Sequence, residues 1–103
     1  MNVSLKPHTF ESRPFTVAAM QFDGTPESIK AIQKWTEDGG AEFDNFNLYN
    51  QVRQECELWV AASAAWCRVH KGDWVVRERD NTGYYPVAAK VFASRYSMKD
   101  SLK

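Results

Sequence analysis

The sequence predicts a single small α+β domain, a curved, mainly antiparallel sheet or partial barrel of about five strands, with one main helix and a short C-terminal helix. Three observations predict it. Residues 25–40 carry helix start and stop signals around one apolar stripe, whereas apolar residues elsewhere fall in short β-branched and aromatic runs. Turn residues separate those runs, which favours hairpins. A chain of 103 residues supplies one core and cannot be split in two.

In chain order, residues 1–12 lack periodicity and read as a flexible lead-in, with the domain spanning 13–98 and a tail at 99–103. "PFTVAAMQFDG" alternates Phe15, Val17, Ala19 and Gln21 against Thr16, Ala18, Met20 and Phe22. Both faces are mostly apolar, so this is expected to be an inner strand. The helix follows, with Thr25 as N-cap, Pro26 at its first position, Glu27 at the positive end of the dipole, and Gly39 or Gly40 as the left-handed stop. Ile29, Ile32, Trp35 and Ala31 form its apolar face.

Residues 43–52 mix Phe43, Phe46, Leu48, Tyr49 and Val52 with turn-favouring Asp44, Asn45, Asn47 and Asn50, and read as one or two short strands. "CELWVAAS" is a strand with Leu58 and Val60 on one side, Trp59 and Ala61 on the other. A strand at Trp66 to Val69, a turn at Lys71-Gly72 and a strand from Trp74 to Arg79 come next. Asp80 and Asn81 bond their own turn, Gly83 takes the positive φ of a bulged hairpin, and Pro86, without an N–H, marks an edge strand. Val91 and Phe92, set against Arg95 and Tyr96, suit a short terminal helix. No internal repeat is visible.

Composition narrows the function classes. Lys+Arg and Asp+Glu balance at 13 each, so no long-range field gathers a polyanion, which argues against nucleic-acid binding. Cys56 and Cys67 are too few for a disulfide scaffold and are not spaced as a metal half-site. No apolar run approaches the roughly 18 residues of a membrane span, and the expected address is the cytoplasm. Aromatic residues make up 14% of the chain, four of them Trp, and most are expected in the core.

Among candidate sites, Lys71-Gly72-Asp73 invites a phosphate-loop reading, but one glycine leading into a strand is better explained as a tight turn. His8 and His70 are the only imidazoles, so nucleophilic catalysis would run through Cys67 and His70. Residues three apart on a strand face opposite sides, which disfavours that pair. The carboxylates form no matched acid and base, no ligand set for a metal is visible, and no cofactor is expected. The cationic and aromatic residues Arg68, Trp74, Arg77, Arg79, Tyr84 and Tyr85 are the candidate binding surface, with Arg77 and Arg79 on one strand face and Arg68 on the neighbouring strand. The same charges could equally form a solvated face that opposes sheet aggregation. Gly72, Asp73, Gly83 and Pro86 are read as structural turn residues.

Gly72, Asp73, Trp74, Val75 and Val76, followed by Gly83, Tyr85, Pro86, Phe92 and Tyr96, form a pattern that resembles a group of small phage and prophage proteins. Those proteins carry a Gly-Asp-aromatic turn, a strand, a glycine hairpin, an aromatic-Pro pair and a spaced Phe and Tyr. The opening strand "VAAMQFDG" is similar as well. Lys71 stands where the group usually has proline, and Ala88-Ala89 where a second proline is common. The resemblance implies a phage origin and transfers no catalytic residues.

The expected function is therefore noncatalytic: a phage accessory protein in the host bacterial cytoplasm that binds a host protein and modulates it. The alternative is sequestration of a small anionic, nucleotide-like ligand by arginines and aromatics. A hydrolase ranks third. An exposed strand or aromatic face would also permit a homodimer.

Overall fold

The computed structural model describes residues 6–12 and 15–98 of the chain. Strand β2, Phe15–Gln21, is central, as its two apolar faces demand. It lies between β1, His8–Ser12, and β6, Trp74–Arg77, in a five-stranded antiparallel sheet completed by β7, Tyr84–Val87, and β8, Ser97–Met98. The order across this sheet is β7-β6-β2-β1-β8. A second, three-stranded antiparallel sheet runs β3-β4-β5, from Phe46–Asn50, Glu55–Val60 and Ala65–His70. Helix α1 is Pro26–Asp38 and α2 is Ala89–Arg95. The small α+β domain expected from sequence is what the chain adopts, with its antiparallel strands divided between two sheets.

Alternation along β2 divides the protein into two cores. Met20, and Phe22 just past the strand end, face α1 and the three-stranded sheet, where Ile32, Phe46, Cys56, Leu58, Val69 and Val75 are buried with them. Val17 and Ala19 face the other way, onto Phe10, Val76, Val87 and Phe92 of α2. The five-stranded sheet is thus a middle layer. In the second core Trp74 stacks on Phe92 at 4.2 Å, and Phe10 meets both rings edge-on. Each such pair adds roughly 0.5–1.5 kcal/mol beyond its area burial.

The ends of α1 follow from its sequence. The Thr25 hydroxyl accepts the Ser28 N–H at 3.1 Å, and Asp23 in turn accepts the Thr25 N–H at 3.0 Å. At the other end Gly40 is the left-handed residue, with φ 101°, while Gly39 is not. The Ala41 N–H reaches the Thr36 carbonyl and the Gly40 N–H reaches Glu37, a Schellman closure. Gly39 is glycine for space: a Cβ there would fall onto the Arg77 guanidinium and the Tyr84 hydroxyl.

The Lys71-Gly72-Asp73 segment is a turn, with Gly72 at φ 97°. Asp73 accepts the His70 N–H at 2.9 Å through one carboxylate oxygen and the Ala89 N–H at 3.2 Å through the other. It therefore closes the β5–β6 turn and caps α2, whose own N-cap residue, Ala88, provides no side-chain bond. Pro86 pairs opposite Val75 on β7, at the sheet edge, where a missing N–H breaks no ladder.

Several expectations are corrected. His8–Ser12, expected within a flexible lead-in, pair with β2 and β8, because Phe10 has an apolar face to bury. Residues 1–5 of that lead-in, Arg13 at the expected domain start, and the tail at 99–103 lie outside the described residues. Strand β6 ends at Arg77, not Arg79. Gly83 does not hold the positive φ of the following turn; Asn81 does, at 62°. The Asp80 carboxylate accepting the Thr82 N–H and hydroxyl stabilises that turn, and a Cβ on Gly83 would meet Ala61 at 3.4 Å.

Candidate binding groove

Three backbone features converge on one face of the protein. The Schellman turn of α1 releases the chain at Gly40 into the connection that leads to β3. That connection is anchored at its far end, where the Asn45 carbonyl accepts the Trp59 N–H at 2.8 Å and Phe46 is fully buried. Between the anchors Glu42, Phe43 and Asp44 project outward, Phe43 with 80% of its surface exposed. Asp44 adopts a left-handed φ of 67°, a conformation that Asp tolerates better than most residues.

Opposite stands the β4–β5 hairpin. Trp59 and Trp66 are directly paired across it, their rings 5.5 Å apart and edge-to-face. The third side is the β6–β7 turn at Asn81, Thr82 and Gly83, and Tyr84 lies beneath. The enclosed groove has a volume of about 600 Å³. Trp59 and Trp66 remain 37% and 46% exposed and line the groove. The expectation that most aromatics are core holds for Phe10, Phe22, Phe46, Tyr84 and Phe92 but not for this pair, Phe43 or Tyr49.

Beneath the groove the Arg77 guanidinium donates to the Tyr84 hydroxyl, to the Gly39 carbonyl at 2.9 Å and to Asn81 Oδ1 at 2.9 Å. These bonds tie the hairpin to the end of α1. Burial holds the Tyr84 phenol above its usual value, against the opposing charge of Arg77. Asn45 is also buried, its Oδ1 2.9 Å from the Thr36 hydroxyl.

The six residues singled out from sequence do not form one surface. Arg68 lies on β5, in the other sheet from β6, with its guanidinium 3.5 Å over the Tyr49 ring. Trp74 and Tyr85 share the opposite face of the five-stranded sheet from Arg77 and pack on the α2 core. Arg79 is in the turn beyond β6. The others fall into two pairs, Arg77 with Tyr84 and Trp74 with Tyr85, and both pairs are held in structural contacts. Sequence reasoning missed the groove. One signal was present: Trp59 falls on the face of β4 opposite Leu58 and Val60, so burial of those two places it outward.

A second cluster lies at the far end of the same hairpin. His70 Nε2 is 2.9 Å from Glu55 and Nδ1 is 3.4 Å from Asp73. The two carboxylates occupy opposite ring nitrogens and cannot converge on one ion, and among the described residues no group of three or more acidic, His or Cys side chains could hold a metal. Cys67 points inward, paired with Leu58, while His70 points outward. Cys56 is fully buried, which pushes its thiol up to about 12. The Cys56 thiol is therefore not an activated nucleophile. Among the described residues no helix is long and apolar enough to cross a membrane.

No protein-family model, curated protein or solved structure matches the chain.

Proposed function

We propose that this is a noncatalytic phage accessory protein that binds a host bacterial protein, using the groove between Phe43 and the Trp59–Trp66 pair to hold a segment of it. The observation that carries this reading is the exposed tryptophan pair. Two large aromatic side chains held outward on a rigid hairpin, beside an exposed Phe, are the residue types that anchor protein partners. Exposed aromatic side chains gathered in one place mark an interaction surface. The phage origin rests on the pattern from Gly72 to Tyr96.

Sequestration of an anionic ligand has less support. Arg77, the nearest expected phosphate contact, directs its donors to Tyr84, Gly39 and Asn81, and among the described residues the groove lining contains Glu42 and Asp44 but no Lys, Arg or His. Hydrolysis has less still, since Cys67 and His70 sit on opposite faces.

The test is affinity capture from bacterial lysate with wild type and a Trp59→Ala/Trp66→Ala variant, followed by reconstitution with the purified partner. The expected result is one stoichiometric protein retained by wild type and lost by the variant. Equal retention by both would refute the assignment of the groove.

A further inference from the structure

We infer that the groove recognises an arginine side chain, presented by an extended segment of the partner. This rests on the proposed binding role and adds the chemistry of its occupant. The charge of the lining is the first argument. Glu42 and Asp44 flank Phe43 and are, among the described residues, the only carboxylates or cations that line the groove. In a chain of zero formal net charge, that local excess of negative charge selects a cation.

The tryptophan pair is the second. An indole face attracts a cation through its quadrupole, and a guanidinium stacks on it while its N–H edge remains free for a carboxylate. Trp59 and Trp66, held edge-to-face, line the same groove as Glu42 and Asp44. Arg68 projects from the same face of β5 as Trp66, two residues along, but lies on Tyr49 at 3.5 Å, the same stacking used internally. The Trp pair therefore has no cation supplied by this neighbour. Arg77 lies 5.0 Å over the Tyr84 ring with its donors bonded to Tyr84, Gly39 and Asn81, so its side chain is not free to stack on the tryptophan pair, and its single charge offsets only one of the two carboxylates.

The probe is acetyl-Gly-Arg-Gly-amide at millimolar concentration, compared with the same peptide carrying citrulline or leucine, and read on the indole N–H resonances of full-length protein assigned with Trp59→Phe and Trp66→Phe variants. The arginine peptide is expected to shift the Trp59 and Trp66 signals and leave Trp35 and Trp74 in place. Citrulline, neutral but nearly isosteric, should bind roughly tenfold more weakly. A Glu42→Gln/Asp44→Asn variant should lose a similar factor for arginine and none for citrulline. Equal affinity for arginine and citrulline, or an unaffected double variant, would overturn the inference. Stronger shifts with leucine would overturn it while leaving the groove as a partner site, and no shift with any peptide would remove both.

Discussion

Arg77 and Tyr84 are directly opposed across the β6–β7 hairpin, and the guanidinium that meets the phenol oxygen also holds the Gly39 carbonyl at the end of α1. One side chain thus joins the hairpin to the helix and fixes Tyr84, which lines the groove. Its partners are neutral oxygens, so the strength of the joint comes from several charge-assisted bonds in fixed geometry. Arg77→Lys keeps the charge but cannot reproduce the fork, and should cost about 1.5–3 kcal/mol in urea unfolding.

The space at Gly39 belongs to the same joint. Gly39→Ala drives a methyl onto Arg77 and Tyr84 and should destabilise by about 1–3 kcal/mol. Combined with Arg77→Ala, the penalty should be less than the sum of the two single changes, because one of the two groups in the way is gone and Tyr84 is freed to move. A double-mutant cycle by denaturant titration measures this, and strict additivity would show that the clash is relieved elsewhere.

Asp73 serves two elements at once. Asp73→Ala releases the His70 N–H at the β5–β6 turn and the Ala89 N–H at the start of α2. The loss should be about 1–3 kcal/mol. Hydrogen exchange should speed up at both amides, although they are far apart in sequence.

Alkaline stability follows from buried acids. Burial raises the Cys56 thiol from 9.0 to about 12, and burial first, with the Tyr96 hydroxyl second, raises Tyr85; Tyr84 is raised as well. A raised acid stays neutral in the folded protein after the unfolded chain has ionised. Stability is therefore full below pH 9.0 and falls as pH rises toward 12, where the folded thiol ionises. The Cys56 share of the slope is about 1.4 kcal/mol per pH unit. Cys56→Ala should flatten the curve of unfolding free energy against pH in that window, apart from its uniform cavity cost.

Tryptophan substitutions should separate surface from core. Trp66→Ala, at an exposed position, should cost less than about 1 kcal/mol, while Leu58→Ala on the inward face of the adjacent strand should cost about 2–5 kcal/mol. Thermal and urea unfolding of both variants check the contrast. A large penalty for Trp66→Ala would mean that the pair supports the fold and is not a free surface.

Much of the fold was legible in the chain, for local reasons. The α1 boundaries came from Thr25, Pro26 and the glycine pair, whose chemistry acts within one turn of backbone. The central place of β2 came from apolar residues on both faces, and the edge place of β7 from Pro86. The β1 strand was not legible, because a short polar stretch such as His8–Ser12 becomes a strand only when a neighbour offers its ladder and a core receives Phe10.

By itself the sequence determined the α+β class, the helix ends, the turn at Lys71-Gly72-Asp73 and the absence of a field that would draw a polyanion. Tertiary structure alone decided that the strands divide into two sheets, that Arg68 and Arg77 fall in different ones, and that Phe43, Trp59 and Trp66 meet around a groove. The physical reason is sequence separation. Residues 39–45, 59–66 and 81–84 become neighbours only through non-local pairing, and alternation assigns each side chain a face without saying what that face will meet.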